Sequence, residues 1–456
     1  MNRATGLAVA AIVVGCSSDP ASTGDGFVDS DLPKAADQNA DPKVLEISLE
    51  AKVTSHGFVT GVATNAAWTY NGTIPGPLLD AKVGDRLIVH FKNSLPEATT
   101  VHWHGVRLPA AMDGTMATQK PIEPGATFTY DFTLKDAGLF WYHPHMRSDV
   151  QVHSGLYGVI RVRGGSEPEV EREEILVLDD LTLDKDGSIV MELDDESKMM
   201  GRGGDALLVN GVGGRTFTWR PGSRVRLRVV NAANGRFFNL ALPGHKFRII
   251  GGDAGLFPQP YDSDHILIAP GERWDAIVVP QGTGKLTLTS DPYDQGHDSG
   301  KNPALPVATI ALAGDAMSPK PLPSSFPSFE TLPDRPADQT LVFNEKLVGD
   351  GFVFTINDKT YPDVPVIDIS NGEVRAFELK NEAEMDHPFH LHGFFFDVVA
   401  VNGKPLIPVI RKDTIIVPKK SSVKLVARFD EPGSWMYHCH ILEHAEGGMA
   451  GEIHVK

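Results

Sequence analysis

The chain has 456 residues and a formal net charge of −17, and it contains only two cysteines. This length suits three domains of ordinary size. The excess of acidic residues argues against nucleic acid or an anionic membrane surface as a partner, because both require a basic patch. The charge does not select a substrate.

Residues 1–16 have the pattern of an export signal. Arg3 gives a short basic start, and the apolar run LAVAAIVV is too short to span a bilayer. The following VVGC resembles a lipoprotein signal-peptidase site, which would make Cys16 the lipidated N-terminus. The alternative is cleavage elsewhere, with Cys16 an ordinary small apolar residue. Because a twin-arginine pair is missing, we expect export in the unfolded state to the periplasm or cell envelope.

Residues 17–42 are poor in apolar side chains and rich in Ser, Ala, Asp and Gly. Such a segment buries too little surface to fold by itself. We therefore predict a disordered tether over 17–42. Membrane contact would then depend on the lipid anchor alone.

A first domain is predicted over residues 43–165. Its runs RLIVHF and TFTYDF alternate apolar and polar residues between VGD and EPG turns, as antiparallel strands do. Two histidine pairs follow, His102 and His104 in HWHG and His143 and His145 in WYHPH. On a strand, residues two apart point to the same face, so each pair directs two imidazoles one way.

A middle domain is predicted over residues 166–315, with strand runs such as RVRLRVV and KLTLTS. Its segment RLRVVNAANGRFFNLALPGHKF resembles the first domain, but Leu240 and Leu242 stand at the two histidine positions. We therefore interpret this domain as a spacer without metal ligands. A Pro-rich linker over residues 316–338 follows it.

The last domain, over residues 339–456, repeats the first. KNSLPEATTVHWHG aligns without gaps on KNEAEMDHPFHLHG, which sets His102 on His390 and His104 on His392. GLFWYHPH aligns on GSWMYHCH and sets Pro144 on Cys439. The repeat and the short strands predict an all-β protein of three Greek-key β-barrels.

The stretch HCHILEHAEGGM combines ligands of two kinds. Cys439, His444 and Met449 supply a thiolate, an imidazole and a distant thioether, which are three of the four ligands of a blue-copper site. HPFHLHG supplies the missing histidine, for which we choose His387. Eight clustered histidines then remain, enough to hold three further coppers as two, three and three.

These four motifs resemble those of the multicopper oxidases, the family of laccases, copper-efflux oxidases and bilirubin oxidases. The resemblance covers roughly residues 45 to 456 and implies three cupredoxin-like domains and four coppers. It implies a type 1 copper held by His387, Cys439, His444 and Met449, and a type 2 copper held by His102 and His390. It implies two type 3 coppers, one held by His104, His143 and His440, the other by His145, His392 and His438.

The resemblance implies one-electron oxidation of a small donor coupled to reduction of O2 to water by a monomer. Cys439 would carry electrons, because its chain neighbours His438 and His440 each bind a type 3 copper. Glu443 and Asp113 stand where similar enzymes place proton donors. The alternatives are a structural hydrogen bond for Glu443 and an Asp-Gly hairpin turn for Asp113.

The donor is less determined than the reaction. Copper-efflux relatives carry a long Met-rich insert, whereas the densest methionine group here is Met191, Met199 and Met200. We therefore favour phenols and aromatic amines, as in laccases, with Cu(I) oxidation as the alternative. We expect His444 to approach the surface. The stretch Glu192 to Asp205 is either a flexible loop over the donor pocket or a solvated charged turn.

Two other classes of protein fit the sequence less well. A copper-free scaffold of the cell envelope would have lost ligands, and none is missing here. A copper nitrite reductase shares the domain type but does not need the pair His143 and His145. The complete ligand set favours the oxygen-reducing enzyme.

Overall fold

The computed structural model describes residues 26–60, 62–297, 299–301, 303–349 and 351–456. Cys16, the predicted signal and the first part of the predicted tether lie outside the described residues. Within the described ranges, none of the helices is both long enough and apolar enough to cross a bilayer.

Eight strands and one short helix form the first domain. Strands β1 to β8 are Val44–Val59, Val62–Tyr70, Gly76–Lys82, Arg86–Ser94, His102–His104, Thr127–Thr133, Gly138–His143 and Gly158–Arg163. Helix α1 is Ser148–Gln151, and a 3-10 turn covers Ala110–Met112. The strands make two sheets, in the orders β2-β1-β4-β6 and β3-β8-β7-β5.

The middle domain contains twelve strands in two sheets. Strands β9 to β20 are Arg172–Leu181, Ala206–Val209, Val212–Gly213, Thr216–Trp219, Val225–Asn231, Phe238–Ala241, Phe247–Gly252, Gly255–Ser263, His265–Ile268, Arg273–Val278, Gly284–Ser290 and Leu305–Leu312. Helix α2 is Asp195–Met200, and Ser299–Lys301 forms a 3-10 turn. The sheet orders are β11-β10-β9-β13-β18-β15-β16 and β12-β20-β19-β14-β17.

The last domain returns to the plan of the first. Strands β21 to β31 are Gln339–Val348, Gly351–Ile356, Ile367–Ile369, Glu373–Asn381, His387–Leu391, Phe396–Val401, Lys404–Lys412, Thr414–Val417, Ser422–Phe429, Gly433–Cys439 and Ala450–Val455. Helix α3 is Leu442–Glu446. The sheet orders are β22-β21-β24-β29-β26-β27 and β23-β31-β30-β25-β28. The predicted all-β architecture is confirmed.

A buried asparagine occupies the same turn in every domain, so the repeat in the sequence is also a repeat of one hydrogen-bonded turn. Asn93, Asn231 and Asn381 each accept a hydrogen bond from the backbone N–H two residues later. Each side-chain amide also donates to two backbone carbonyls. In the middle copy, the chain then enters the apolar core through Leu240 and Leu242.

The prediction of a disordered tether is wrong for its described part. Val28 forms a parallel bridge with Arg172 of the middle domain. Lys34 bridges Leu78 of the first domain, and the Leu32 side chain is only 7% exposed. We call Val28 to Ala35 the N-terminal strap. Average composition misled the prediction, because a few apolar residues and backbone bonds are enough to dock a short segment on an existing sheet.

The docked strap predicts that Leu32 contributes more to the free energy of unfolding than the nearby Phe27. Leu32→Ala should lower the free energy of unfolding by about 2 kcal/mol, because it removes buried apolar atoms and leaves a cavity. Phe27→Ala is the matched control, since Phe27 is 53% exposed. Equilibrium unfolding in urea measures both. Equal effects of the two substitutions would mean that the strap is not docked in solution.

Candidate metal centre

Two hydrogen-bonded strand pairs, one in each outer domain, present most of the predicted ligands. In the first domain His102 on β5 lies opposite His143 on β7. In the last domain His390 on β25 lies opposite His438 on β30, and Phe389 lies opposite Cys439. Since side chains alternate along a strand, the histidines face one way and Cys439 faces the other.

The two strand pairs meet across the interface between the first and last domains. The rings of His104 and His390 stack with centroids 3.7 Å apart, and those of His102 and His392 are 4.1 Å apart. The structure brings together all eight imidazoles assigned to the three-copper cluster, namely His102, His104, His143, His145, His390, His392, His438 and His440.

Two of the expected ligand sets recur as groups whose ligand atoms all lie within 4.8 Å of one another. These groups are His145 with His392 and His438, and His387 with Cys439 and His444. The expected set His104, His143 and His440 does not recur as such. His102 joins His104 and His143 instead, and the His440 ring lies 4.9 Å from that of His104.

Several buried ring nitrogens have no hydrogen-bond partner among the described residues. They are His102 Nε2, His104 Nδ1, His143 Nε2, His390 Nε2 and both ring nitrogens of His440. The opposite nitrogens are held: His102 Nδ1 donates to the Asp113 carbonyl at 2.8 Å, and His143 Nδ1 donates to the Pro144 carbonyl at 2.9 Å. Leaving a polar atom unpaired in the interior costs about 1–3 kcal/mol. Copper ions suit these nitrogens, since imidazole is a good copper ligand.

Burial also favours the neutral form of six of these rings. It lowers the pKa of His145 to about 3. The pKa falls well below the ordinary value for the same main reason at His104, His143, His392, His438 and His440. A metal ligand must offer a lone pair, so the cluster is prepared for metal at neutral pH.

Cys439 lies on the other face of β30, beside the second group. Its Sγ is 3.5 Å from His387 Nδ1 and 3.8 Å from His444 Nδ1, and all three residues are fully buried. Met449 is buried in the same apolar cluster. Burial raises the pKa of the Cys439 thiol, so a bound cation is needed to obtain the thiolate.

Asp113 links the two outer domains at the cluster. One carboxylate oxygen accepts from His392 Nδ1 at 3.0 Å, and the other lies 3.3 Å from His102 Nδ1. Burial raises the pKa of Asp113, but the two imidazoles outweigh burial and hold the pKa well below its usual range. Asp113 is therefore an ionised acceptor that orients two rings.

Glu443 has different surroundings. Its Oε1 accepts from Arg202 Nε at 3.0 Å and from Asn234 Nδ2 at 2.8 Å, both from the middle domain. Burial raises the pKa of Glu443 to about 7, against the opposing effect of these hydrogen bonds. The described contacts of this carboxylate join the middle domain to helix α3, which also carries His444.

The expectation that His444 approaches the surface is wrong. The residue is 0% exposed, its Nε2 donates to the Met199 carbonyl at 3.0 Å, and its ring stacks on Phe354 at 3.6 Å. Met199 belongs to α2, so the stretch Glu192 to Asp205 lies over the cysteine site. Sequence spacing gave no sign of this cover, because it comes from another domain.

Sequence reasoning also missed what the middle domain contributes to the histidine cluster. A Cβ at Gly271 would lie 2.7 Å from ring carbons of His440, so the turn before β18 packs its backbone against that imidazole. In the last domain, Asp413, which lies between β27 and β28, and Thr414, which begins β28, contact His104 and His390. These contacts join distant parts of the chain and leave no local pattern.

Comparison with known proteins agrees with this geometry. The family described as multicopper oxidase matches residues 53–167, 172–310 and 331–456. Multicopper oxidase MmcO of Mycobacterium tuberculosis is 32% identical over 432 residues, which cover 84% of this chain and 82% of that protein.

Solved structures show the same similarity. A multicopper oxidase from Campylobacter jejuni, described as a metallo-oxidase, superposes with a TM-score of 0.84 at 29% identity and covers 96% of this chain and 97% of that one. A laccase-like enzyme, CueO from Ochrobactrum sp., has a TM-score of 0.81 at 26% identity and covers 93% and 99%. Its description reports oxidase activity towards lignin model compounds and lignosulfonate.

Three cupredoxin-like domains with buried histidine and cysteine groups define a copper oxidoreductase that uses O2. The chain belongs to the multicopper oxidases. Copper is its cofactor, and four coppers per chain are the family norm. The predicted family, reaction class and cofactor are confirmed.

The close approach of Gly271 to His440 predicts a sensitive position. Gly271→Ala should reduce the copper bound per chain, because the new methyl group displaces the His440 ring. Gly244→Ala is the matched control, since its φ of +81° resembles the +85° of Gly271 but nothing lies within 4 Å. Both variants carry the strain of a left-handed residue, about 1–2 kcal/mol. Equal copper contents in the two variants would contradict the prediction.

Proposed function

We propose that the four coppers are held as the sequence motifs suggest. His387, Cys439, His444 and Met449 hold the type 1 copper, and His102 with His390 hold the type 2 copper. The two type 3 coppers are held by His104, His143, His440 and by His145, His392, His438. The convergence of these rings between two domains of one chain, with unpartnered nitrogens, carries the proposal and supports a monomer as the active unit.

The residues divide the reaction between two faces of β30. Bound copper supplies one-electron chemistry at the Cys439 thiolate and reduction of O2 at the histidine cluster. The side chain of Cys439 is linked to the rings of His438 and His440 through only a short stretch of backbone. The covalent path between the two centres is therefore short. Burial of most of the imidazoles keeps bulk water away from the cluster, and we place electron entry at the cysteine site, where α2 covers His444.

Reduction of O2 to water also consumes protons, and we propose Asp113 and Glu443 as the groups that handle them. Asp113 touches His102 and His392 directly, which supports a role at the cluster. The carboxylate of Glu443 instead contacts Arg202 and Asn234, which supports a role in holding helix α3 and its His444. Asp113 is therefore the better placed of the two.

The cysteine site predicts a spectroscopic result. The copper-loaded protein should be intensely blue through thiolate-to-copper charge transfer, and Cys439→Ser should abolish both the blue band and donor oxidation. Cys16→Ser, at the other cysteine of the chain, is the control and should leave the blue band unchanged. Absorption spectra of the two copper-loaded variants decide, and a band that survives Cys439→Ser would refute the type 1 assignment.

We propose phenols and aromatic amines as the donors. A cavity of about 310 Å³ lies beside α2 and is lined by Met200, Phe237, Tyr293 and polar groups including Gln295. The rings of Phe237 and Tyr293 stack at 5.8 Å, and the Tyr293 hydroxyl donates to Asp386, the residue before His387. Such a cavity suits an aromatic donor with a polar substituent.

Cu(I) is the second candidate donor, favoured by one observation. Met199 and Met200 lie on α2, whose first turn is acidic, and the Met199 carbonyl contacts His444. Thioethers are soft ligands suited to Cu(I). This pair is far smaller than a Met-rich insert, so we rank Cu(I) below phenols.

Steady-state kinetics separate the two donors. We expect a higher kcat/KM for 2,6-dimethoxyphenol than for a stabilised Cu(I) complex in the same buffer, because the cavity offers aromatic contacts and only two neighbouring methionines. The double variant Met199→Leu, Met200→Leu should keep phenol oxidation, and Met191→Leu is the control. A preference for Cu(I) that the double variant loses would make copper detoxification the function.

We propose that the enzyme is exported to the periplasm or cell envelope and anchored through Cys16. The signal pattern before Cys16 supports this location. Expressed with its own leader in a bacterium that processes lipoproteins, the protein should fractionate with membranes, and Cys16→Ala should release it. Unaltered protein that is already soluble, with a mature N-terminus other than Cys16, would remove the anchor from the proposal.

A further inference from the structure

The first residue of β18 is an arginine that reaches from the middle domain into the interface between the outer domains. Arg273 is 1% exposed. Its Nε donates to the Leu139 carbonyl of the first domain at 3.2 Å, and its Nη2 donates to the Asp253 carbonyl at 3.2 Å. The two terminal nitrogens also bond both carboxylate oxygens of Asp413 in the last domain, with Nη1 at 2.7 Å. One guanidinium thus holds groups from all three domains.

Asp413 and Thr414 in turn hold two imidazoles of the cluster. His390 Nδ1 donates to the Asp413 carbonyl at 3.0 Å. His104 Nε2 lies 3.1 Å from Thr414 Oγ1 and 3.3 Å from the Asp413 carboxylate. The Thr414 hydroxyl donates to Asp413 at 2.8 Å, and Asp253 accepts from the Thr414 N–H at 3.1 Å.

These bonds determine which nitrogen each ring presents. With Nε2 of His104 and Nδ1 of His390 engaged, the remaining nitrogens are His104 Nδ1 and His390 Nε2. Both of those atoms are buried and have no hydrogen-bond partner in the described part of the chain. A hydrogen bond to one ring nitrogen fixes the tautomer and the orientation of the other, as around other metal-binding histidines.

We infer that Arg273 is a positioning residue for copper, acting through Asp413 on His104 and His390, and that the middle domain thereby sets the affinity of the type 2 site. This rests on the ligand assignment proposed above. The planar guanidinium holds both oxygens of Asp413 at once, which a lysine ammonium cannot do. The middle domain has no copper ligand of its own in the proposed set, yet it fixes ligands that belong to the two outer domains.

The site also has the space that such a contact requires. A Cβ on Gly105 would lie 2.3 Å from Arg273 Nη2 and 2.7 Å from Asp413, so the glycine that ends HWHG lets the ion pair lie directly beneath the strand of His102 and His104. Lys412 is buried next to it and pairs with Asp253 and Glu272. The acidic residues of the middle domain therefore face Lys412 as well as Arg273.

A nearby pair provides the control for a merely structural role. Arg226 bonds Asp275 through Nε at 2.9 Å and also through Nη2, and it is 2% exposed. It lies on β13 of the same sheet, and its ion-pair partners are the carboxylates of Glu167, Glu173 and Asp275 rather than imidazoles. Arg226→Lys therefore breaks a comparable buried contact in the same domain without touching the cluster.

The test uses the copper-loaded full chain and the variants Arg273→Lys, Asp413→Asn and Arg226→Lys. Copper per chain, the type 2 signal in electron paramagnetic resonance, and copper loss to a competing chelator are measured. Arg273→Lys and Asp413→Asn should weaken retention of the type 2 copper about 10- to 100-fold, the usual effect of losing a group that orients a ligand, and should alter its resonance signal. The blue band at Cys439 should be unchanged in both, and Arg226→Lys should match the wild type.

Asp413→Asn preserves the shape of the side chain, so it decides the question if Arg273→Lys does not fold. Wild-type copper retention and an unaltered type 2 signal in Asp413→Asn would overturn the inference. Equal copper loss in Arg226→Lys would also overturn it, because the effect would then follow from damage to the domain. A wild-type protein that binds no type 2 copper would instead overturn the ligand assignment itself.

Discussion

Eight imidazoles gathered between two domains, seven of them buried, impose the constraint on which the rest of this structure depends. In the described part of the chain, six buried ring nitrogens on five of these residues have no hydrogen-bond partner, so without metal each of the six is an uncompensated polar atom. The surrounding structure accepts this cost because copper replaces the missing partners. Docking of the outer domains and retention of the metal are therefore one equilibrium, in which each process supports the other.

The three Greek-key domains contribute differently to this cluster of imidazoles. The outer copies supply the rings, and the middle copy keeps the common asparagine turn but fills its own histidine positions with Leu240 and Leu242. The middle domain contributes through residues at its interfaces with the other domains. Gly271 lies against His440, Arg273 holds Asp413, and Arg202 holds Glu443. The middle domain, which we interpreted from its sequence as a spacer, therefore supports ligands that belong to both outer domains.

Sequence was informative where the chemistry is local. The HxH spacing and the HCH triplet predict which face of a strand each ligand occupies, and the gapless repeat predicts that two domains share one cluster. The buried position of His444 could not be predicted in this way, because it depends on where α2 of another domain docks. Asp413 and Arg273 lie in ordinary strand and turn sequence, and only the tertiary contact gives them meaning.

The strap has a consequence for geometry at a membrane. Because the chain is fixed to the protein body at Val28, a lipid anchor at Cys16 would be 12 residues away along the chain. Twelve residues span at most about 40 Å, less than the reach of a tether that ended at residue 42. An anchor at Cys16 would therefore hold Val28 within about 40 Å of the lipid, where the enzyme samples a thin layer of solution and meets reductants that diffuse along the bilayer surface.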